Sequence, residues 1–199
     1  MLLAIDTSVG TSVAVVDRDG GVLAERSSPD ARGHAETVGT FIAECLEASG
    51  VSVSELSGVA VGMGPGPFTG LRVGIAAARA FALGAGKPVV PVVSHDAIAW
   101  QHYRDGHTGP LTVTTGARRR EVFRSEYSGA DAQGLPQRIA GPELAPAPDE
   151  GASARVSAGV LGLLAEALYA HGRPFGPDQP LYLRPPDATI PAGPKRVSA

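Results

Sequence analysis

The chain is poor in cysteine, in aromatic residues and in net charge. One cysteine among 199 residues excludes an internal disulfide framework and a zinc site made of several cysteines. With 17 basic and 20 acidic residues the net charge is −3, so the chain lacks the overall basic footprint of a nucleic-acid-binding domain. Hydrophobic residues make up 43% of the chain, enough for a core although only 5% is aromatic. We expect Cys45 to be a small core residue on the apolar face of a helix.

Long hydrophobic runs are also missing. No apolar stretch approaches the ~18 residues of a membrane span without a charge or a helix breaker. The segment from Met1 to Asp6 is too short for a signal peptide and lacks the basic region that such a peptide needs. The sequence therefore predicts a soluble, cytoplasmic protein that does not bind a membrane.

In the first half of the chain, strand and helix signals follow one another in the order β-β-β-α-β-α-β-α, which is typical of a layered α/β fold. The first three strands are expected to form an antiparallel meander, and the last two strands are expected to be parallel to each other. The predicted strands cover residues 2–5, 11–16, 22–27, 59–63 and 89–93, and the predicted helices cover 34–48, 69–83 and 95–103.

The second half of the chain repeats the strand-turn-strand pattern of residues 2–16 at 111–115 and 121–127. This echo predicts two lobes, an N-terminal lobe of residues 1–106 and a C-terminal lobe of residues 107–199. Within the second lobe we expect loop with at most one short strand over 129–155, a helix over 157–170, and an extended proline-rich tail over 184–199.

The helix predicted over residues 69–83 has almost no polar face, since only Arg72 and Arg79 interrupt it. Small residues recur at every fourth position and form one ridge along the helix, at Gly70, Gly74, Ala78 and Ala82. Each glycine costs ~1 kcal/mol relative to alanine inside a helix, so close packing of another backbone must compensate. Because a helix that is apolar all round is buried on more than one side, we expect one side to face the sheet and the other to face a partner subunit.

Asp6-Thr7-Ser8 follows the first strand, and this position allows two interpretations. Either the carboxylate and hydroxyls face a metal-bound phosphate, or the side chains bond to their own backbone in a turn. A phosphate site of this kind needs a second glycine-rich turn. The corresponding turn, Thr114 to Glu121, has one glycine, three arginines and no acid before Glu121, so half of the expected nucleotide site is absent.

Other candidate sites carry weaker signals. The glycine-rich loop from Gly62 to Gly70 opens a helix, but Pro65 and Pro67 remove two backbone donors, and we interpret the loop as structural. The histidines have no metal-ligand spacing, so the sequence predicts neither a metal nor a cofactor. The run Arg118-Arg119-Arg120 is interpreted as a solvated hairpin tip, with a phosphate or RNA contact as the alternative.

Four segments together resemble the TsaB (YeaZ) family of bacterial tRNA threonylcarbamoyladenosine proteins. They are Leu3 to Ser8, Gly64 to Gly74, Ala117 to Phe123, and Tyr182-Leu183-Arg184. The resemblance implies an α/β fold of two lobes, of the actin-like/sugar-kinase-like (ASKHA) type. The second lobe looks shortened between residues 130 and 180. Pro67 replaces the family's usual serine, and Gly116 replaces its usual aspartate.

The resemblance implies a non-catalytic role in placing threonylcarbamoyl on N6 of adenosine 37 in tRNAs that read ANN codons. Family members pair with the TsaD paralogue, which carries the metal and the nucleotide, and the ATPase TsaE joins them. Transfer RNA is then contacted only through the complex, and homodimerisation is an alternative when the partner is absent. Val38 stands where the paralogue has its second metal-ligand histidine, and Asp6-Thr7-Ser8 becomes a vestigial phosphate turn.

The helices predicted over 34–48 and 69–83 resemble the pairing surface of this family. The residues expected to bind the partner are Val38, Phe41, Phe68, Leu71, Arg72, Gly74, Ile75 and Ala78. Two other functions stay open. One is an ASKHA-type ATP-dependent transferase or kinase acting on its own, against which the incomplete second turn argues. The other is a metallopeptidase, which needs clustered metal ligands.

Overall fold

The computed structural model describes residues 1–30, 33–117, 120–147 and 154–184. The strands are β1 Leu2–Asp6, β2 Thr11–Asp17, β3 Gly21–Ser28, β4 Gly58–Gly62, β5 Val89–Val92, β6 Leu111–Gly116, β7 Glu121–Ala130 and β8 Pro136–Pro146. The helices are α1 His34–Ser49, α2 Phe68–Ala85, α3 Ser94–Arg104 and α4 Ala158–Ala170, with a short 3-10 helix at Val53–Glu55. Every strand and helix predicted in the first half is confirmed, with each end within two residues of its predicted position.

Five strands form the first sheet, in the order β3-β2-β1-β4-β5. The first three strands pair antiparallel, as the predicted meander requires. β4 pairs parallel to β1, and β5 pairs parallel to β4. Parallel neighbours need a crossover connection, and α1 and α2 supply one before β4 and one before β5.

Both faces of the first sheet are covered. Successive side chains of a strand point to opposite faces, so Leu3 and Ile5 of β1 pack with α1 and α2, while Leu2 and Ala4 pack with α3 and α4. Burial on both faces explains why β1 and β4 read as nearly continuous apolar runs rather than as alternating patterns.

The second sheet has three antiparallel strands in the order β6-β7-β8. The expectation of a loop with at most one short strand over 129–155 is wrong, because Pro136–Pro146 forms an 11-residue strand. Prolines and a glycine within this segment interrupt the residue pattern from which a strand is predicted. Since β8 is an edge strand that pairs only with β7, the missing backbone donors of its prolines cost little.

The predicted helix near residues 157–170 is confirmed as α4, and it packs on the first sheet although it follows the second sheet in the chain. A Cβ atom at Gly162 would lie 2.8 Å from a methyl carbon of Val16, so the helix approaches β2 closely. At its N-terminus, the carboxylate of Glu25 on β3 accepts hydrogen bonds from Ser157 Oγ at 2.9 Å and Gly159 N at 3.3 Å. The division of the chain at 106/107 stays a prediction, and α4 lies against the sheet of the first lobe.

Residues 176–184, here called the C-terminal strap, return to the edge of the first sheet. The backbone N–H of Gly176 donates to the carbonyl oxygen of Pro91 at 2.9 Å. The backbone N–H of Leu181 donates to the carbonyl oxygen of Met63 at 2.8 Å. The tail predicted over 184–199 lies outside the described residues, apart from Arg184.

Candidate functional site

Asp6 ends β1 in the middle of the first sheet and is 2% exposed. Its Oδ1 accepts hydrogen bonds from the N–H of Ser8 at 2.8 Å and from the Oγ of Ser8 at 2.6 Å, and its Oδ2 accepts one from Ser94 Oγ at 2.5 Å. Gly62 on β4 leaves the space for this carboxylate, since a Cβ there would lie 1.8 Å from Oδ2. Burial raises the pKa of Asp6, and the hydrogen bonds from Ser8 and Ser94 oppose that rise.

Thr7 lies against the ridge of small residues on α2. Its Oγ1 donates to the carbonyl oxygen of Gly70 at 2.7 Å and accepts from the N–H of Gly74 at 3.1 Å. A Cβ at Gly70 would lie 2.7 Å from the Thr7 carbonyl oxygen, and one at Gly74 would lie 2.2 Å from Thr7 Oγ1. The backbone that packs against this ridge is therefore the chain's own turn at residues 6–8.

The turn at residues 6–8 is closed by the elements around it. The loop between β4 and α2 covers it from one side, where a Cβ at Gly66 would lie 2.9 Å from Ser8. All three residues of the turn are buried, and their side-chain oxygens are hydrogen-bonded within the chain. In this geometry the turn joins β1, the loop, α2 and α3, and it presents no free oxygen to a ligand.

The second turn is only partly described, because Arg118 and Arg119 lie outside the described residues. Its ends are closed by a hydrogen bond from the N–H of Ala117 to the carbonyl oxygen of Glu121 at 3.0 Å. Arg120 is exposed and has a backbone φ of 58°. The function of the arginine run stays a prediction.

His95 and Asp96, at the start of α3, join the second sheet to the first lobe. The two ring nitrogens of His95 lie 2.8 Å from Ser125 Oγ and 2.9 Å from Thr115 Oγ1. The Tyr127 hydroxyl donates to Asp96 Oδ1 at 2.7 Å. Burial lowers the pKa of His95 to about 3, so its ring is neutral at pH 7. The spacing of these residues in the chain carries no sign of this contact, because the sheet pairing alone brings them together.

The remaining histidine and cysteine candidates have structural partners. His34 is buried, and its Nδ1 lies 2.7 Å from Thr11 Oγ1. Cys45 is buried and its thiol donates to the carbonyl oxygen of Val13 at 3.2 Å, which confirms that it is a core residue. Burial raises the pKa of this thiol, so it stays protonated. Across the described ranges, no group of three or more His, Cys, Asp or Glu side chains is placed to hold a metal ion.

The eight residues expected to bind a partner fall into two groups. Five of them are buried in the core of the chain itself, namely Val38, Leu71, Gly74, Ile75 and Ala78. Phe41 and Phe68 are half-buried, and Arg72 is exposed. Partner binding stays a prediction for all eight residues: the buried five support α1 and α2 from inside, while Phe41, Phe68 and Arg72 are accessible for direct contact.

The exposed side of α2 carries a second stripe of residues. We call it the outer face of α2, and it consists of Arg72, Ala76, Arg79, Ala80 and Leu83. It is offset by two residues from the ridge, about 200° around the helix, and so lies opposite to it. Leu83 is 85% exposed. Sequence reasoning missed Ala76, Ala80 and Leu83, although a four-residue spacing that starts at Arg72 gives Ala76 and Ala80, and one that starts at Arg79 gives Leu83.

The same helix is long and apolar enough to cross a membrane, and within the described segments no other helix is. This test looks only at length and composition, and the core helix of a soluble fold also passes it. Because the ridge of α2 packs against Thr7, the helix is a core helix whose outer face is exposed.

The comparisons with known proteins agree with this architecture. The family model described as "TsaD: tRNA N6-adenosine threonylcarbamoyltransferase" matches residues 5–143. An uncharacterized protein of Mycobacterium tuberculosis is 37% identical over 94% of this chain and 93% of its own length. The tRNA threonylcarbamoyladenosine biosynthesis protein TsaB of Escherichia coli is 32% identical over 63% of this chain and 54% of its own length.

Two solved structures from Pseudomonas aeruginosa share the fold. A protein described as similar to peptidase YeaZ superposes with a TM-score of 0.78 at 25% identity, covering 92% of this chain and 99% of that chain. YeaZ itself superposes with a TM-score of 0.73 at 24% identity, covering 86% of this chain and 92% of that chain. The expected α/β fold is thereby confirmed, and it is the fold of these YeaZ proteins. The TsaD model matches more than half of the chain, including the turn at residues 6–8, the loop after β4 and all of α2, and the similar proteins include TsaB and YeaZ. The chain therefore belongs to the TsaB (YeaZ) family of tRNA threonylcarbamoyladenosine biosynthesis proteins.

Proposed function

We propose that this chain is a non-catalytic subunit that pairs with a TsaD-type paralogue through the outer face of α2 and the adjoining surface of α1. The observation that carries the proposal is the contrast between the two sides of α2. Its ridge is filled by the chain's own turn, while Ala76, Ala80 and Leu83 on the other side stay exposed. An exposed apolar helix side is typical of a surface that another protein covers.

The surface of α1 next to α2 supports this proposal. The two helices are in contact, and each adds half-buried apolar residues that pack against the same core, Phe41 and Ile42 from α1 and Val73, Ala77 and Phe81 from α2. Small side chains on the outer face allow a partner helix to approach closely. A protein partner with an apolar helical surface therefore fits this region better than a charged ligand does.

The closed turn at residues 6–8 supports a non-catalytic role. A phosphate needs free hydrogen-bond donors and a metal ion needs free oxygen ligands, whereas the hydroxyls of Thr7 and Ser8 donate within the chain and the Asp6 carboxylate accepts bonds within it. The turn is consistent with a vestigial phosphate turn that now has a packing function. On this proposal the paralogue supplies the metal and the nucleotide, and this chain needs no cofactor.

The proposed complex transfers threonylcarbamoyl to N6 of adenosine 37 in tRNAs that read ANN codons. A TsaE-type ATPase joins the pair, and this chain contacts tRNA only through the complex. The complex would act in the cytoplasm, where tRNA is. The same outer face of α2 would support a homodimer when the paralogue is absent.

The test is reconstitution of tRNA modification with the TsaD-type and TsaE-type proteins of the same organism, threonylcarbamoyl-AMP and unmodified tRNA. We expect product only when this chain is present, and no nucleotide turnover by the chain alone. Ala80→Arg places a charge on the outer face and should abolish both pairing and modification. Ala170→Arg, at the exposed end of α4 on the opposite side of the sheet, is the matched control and should change neither.

Two results would overturn this proposal. Equal product with and without this chain would show that the partners do not need it. Binding and turnover of ATP by the isolated chain, lost in Asp6→Asn, would favour the alternative of an ASKHA-type transferase or kinase acting on its own.

A further inference from the structure

The C-terminal strap contacts both charged residues of α2. Arg79 Nη2 donates to the carboxylate of Asp178 at 2.8 Å and to the Asp178 carbonyl oxygen at 3.2 Å. The charge of Arg79 is therefore neutralised within the chain. Arg72, two turns earlier on the same side of the helix, meets no carboxylate among the described residues.

Arg72 is instead held by two aromatic rings. Its guanidinium carbon lies 3.7 Å from the centroid of the Phe68 ring and 5.8 Å from that of Tyr182, and the two rings lie 4.8 Å apart. Its Nε donates to the Tyr182 hydroxyl at 3.3 Å. Within the described part of the chain, no hydrogen bond or ion pair engages its two Nη nitrogens.

This arrangement pre-organises the guanidinium group. Stacking on the rings restrains its plane, and the bond from Nε fixes its rotation, which leaves the two Nη nitrogens exposed as a fork. A guanidinium fork with two free Nη amino groups matches the two oxygens of a carboxylate. Because the side chain is already restrained, less conformational entropy is lost when such a ligand binds.

Contacts on both sides of Tyr182 hold the C-terminal strap, and with it the Tyr182 ring, in this position. Its backbone bonds to Met63 and Pro91 fix it to β5 and the residue after β4. At its far end, Arg184 forms an ion pair with Glu121 at the start of β7. The position of the Arg72 fork thus depends on contacts to both sheets.

We propose that Arg72, positioned by Phe68 and Tyr182, binds a carboxylate of the protein that covers the outer face of α2. This inference rests on the proposed function and adds the chemistry by which the partner is selected. The partner must carry an aspartate or glutamate beside an apolar helical surface. The surroundings favour a protein over an RNA. The next residues along the stripe are alanine and leucine, the next arginine is already paired, and the net charge of the chain is −3.

The test is the dissociation constant for the TsaD-type paralogue, measured by calorimetry. Arg72→Ala should weaken pairing on the order of 10- to 100-fold, and Arg72→Lys should weaken it nearly as much because lysine keeps the charge but not the fork. Arg104→Lys is the matched control and should stay within about 2-fold, because Arg104 also lies over an aromatic ring, 4.7 Å from the centroid of Trp100, but belongs to α3 on the opposite face of the first sheet. Thermal melting of each variant shows whether it is folded.

A double-mutant cycle identifies the ligand. Each aspartate and glutamate on the partner's pairing surface is changed to alanine and combined with Arg72→Ala. One carboxylate should show coupling of about 10-fold or more, and the others should show additive effects. Tyr182→Phe, which removes only the acceptor for Nε, should give a smaller loss of affinity in the same direction.

The outcomes separate this inference from the proposed function. If Arg72→Lys pairs like the native chain and no partner carboxylate couples to Arg72, the fork does not bind the partner, although loss of pairing in Ala80→Arg still supports the surface. If Ala80→Arg also pairs normally, the surface itself is wrong. If Arg72 variants pair normally but weaken tRNA binding by the assembled complex, the ligand is a phosphate and the inference is overturned.

Discussion

The first sheet and the second sheet of this protein are stabilised in different ways. The first is covered on both faces by helices, and backbones approach so closely that only glycine fits at Gly62 and Gly74. The second has an edge strand, β8, with most of its residues exposed, and polar side chains of α3 attach the sheet to the first lobe. The first region should therefore be sensitive to added volume, and the second to the loss or protonation of polar groups.

The largest expected effect on stability comes from the addition of a single methyl group in the first sheet. In Gly62→Ala the new Cβ would lie 1.8 Å from Asp6 Oδ2 and 2.8 Å from Ser94 Oγ, so the buried carboxylate must move and lose hydrogen bonds. We expect a loss of about 3 kcal/mol in the free energy of unfolding, measured by urea denaturation.

The matched control is Gly116→Ala, which changes the last residue of β6 in the second sheet. Nothing lies within 4 Å of a Cβ at that position. The free energy of unfolding should change by less than about 0.5 kcal/mol. Equal losses at the two glycines would show that crowding does not distinguish the two sheets.

Acidification should weaken the contact between the second sheet and α3. The pKa of His95 falls from 6.5 to about 3 on folding, so the folded chain keeps the ring neutral while the unfolded chain takes up a proton. The stabilisation is complete above pH 6.5 and is lost as the pH falls from 6.5 toward 3. The loss should be about 1.4 kcal/mol per pH unit, or about 2 kcal/mol at pH 5.

Urea denaturation between pH 7.5 and 5 in native protein and His95→Gln measures this effect. Glutamine can bond to Thr115 and Ser125 but does not titrate, so the variant should lose part of the pH dependence. His34, whose pKa burial also lowers, contributes equally to both proteins and cancels in the difference. Identical pH profiles for the two proteins would contradict the prediction.

A smaller loss is expected from Tyr127→Phe. This change keeps the buried ring and removes the hydrogen bond to the Asp96 carboxylate, which keeps its contact with Arg138. The free energy of unfolding should fall by about 1 to 2 kcal/mol, with faster amide exchange in β7. Unchanged exchange in β7 would show that this bond does not hold the second sheet in place.

The smallest effect is expected on the outer side of β8. Ile139 is 65% exposed, so Ile139→Thr should change the free energy of unfolding by less than about 0.5 kcal/mol. A loss above about 1 kcal/mol, dependent on protein concentration, would reveal a contact between chains at this strand.

Much of the first lobe could be predicted from the sequence because its signals are local. Apolar runs bounded by Asp-Thr-Ser and Asp-Gly turns mark β1 and β2, and the stripe that includes Val38, Cys45 and Leu46 marks α1. β8 could not be predicted, because its prolines hide a strand that exists only through pairing with β7. His95 could not be assigned a partner, since Thr115 and Ser125 belong to strands whose register decides the contact.

For α2 the sequence by itself determined a helix, a ridge of small residues and the motif that identifies the family. Arg72 and Arg79 mark one side of the helix, but the sequence did not determine whether the ridge on the other side packs against the chain's own backbone or against a partner subunit, because small residues suit either contact. Only the tertiary structure decided that question, by placing the turn at Asp6 to Ser8 against Gly70 and Gly74. The reason is steric: the turn fits only where side chains are absent, which leaves Ala76, Ala80 and Leu83 on the surface.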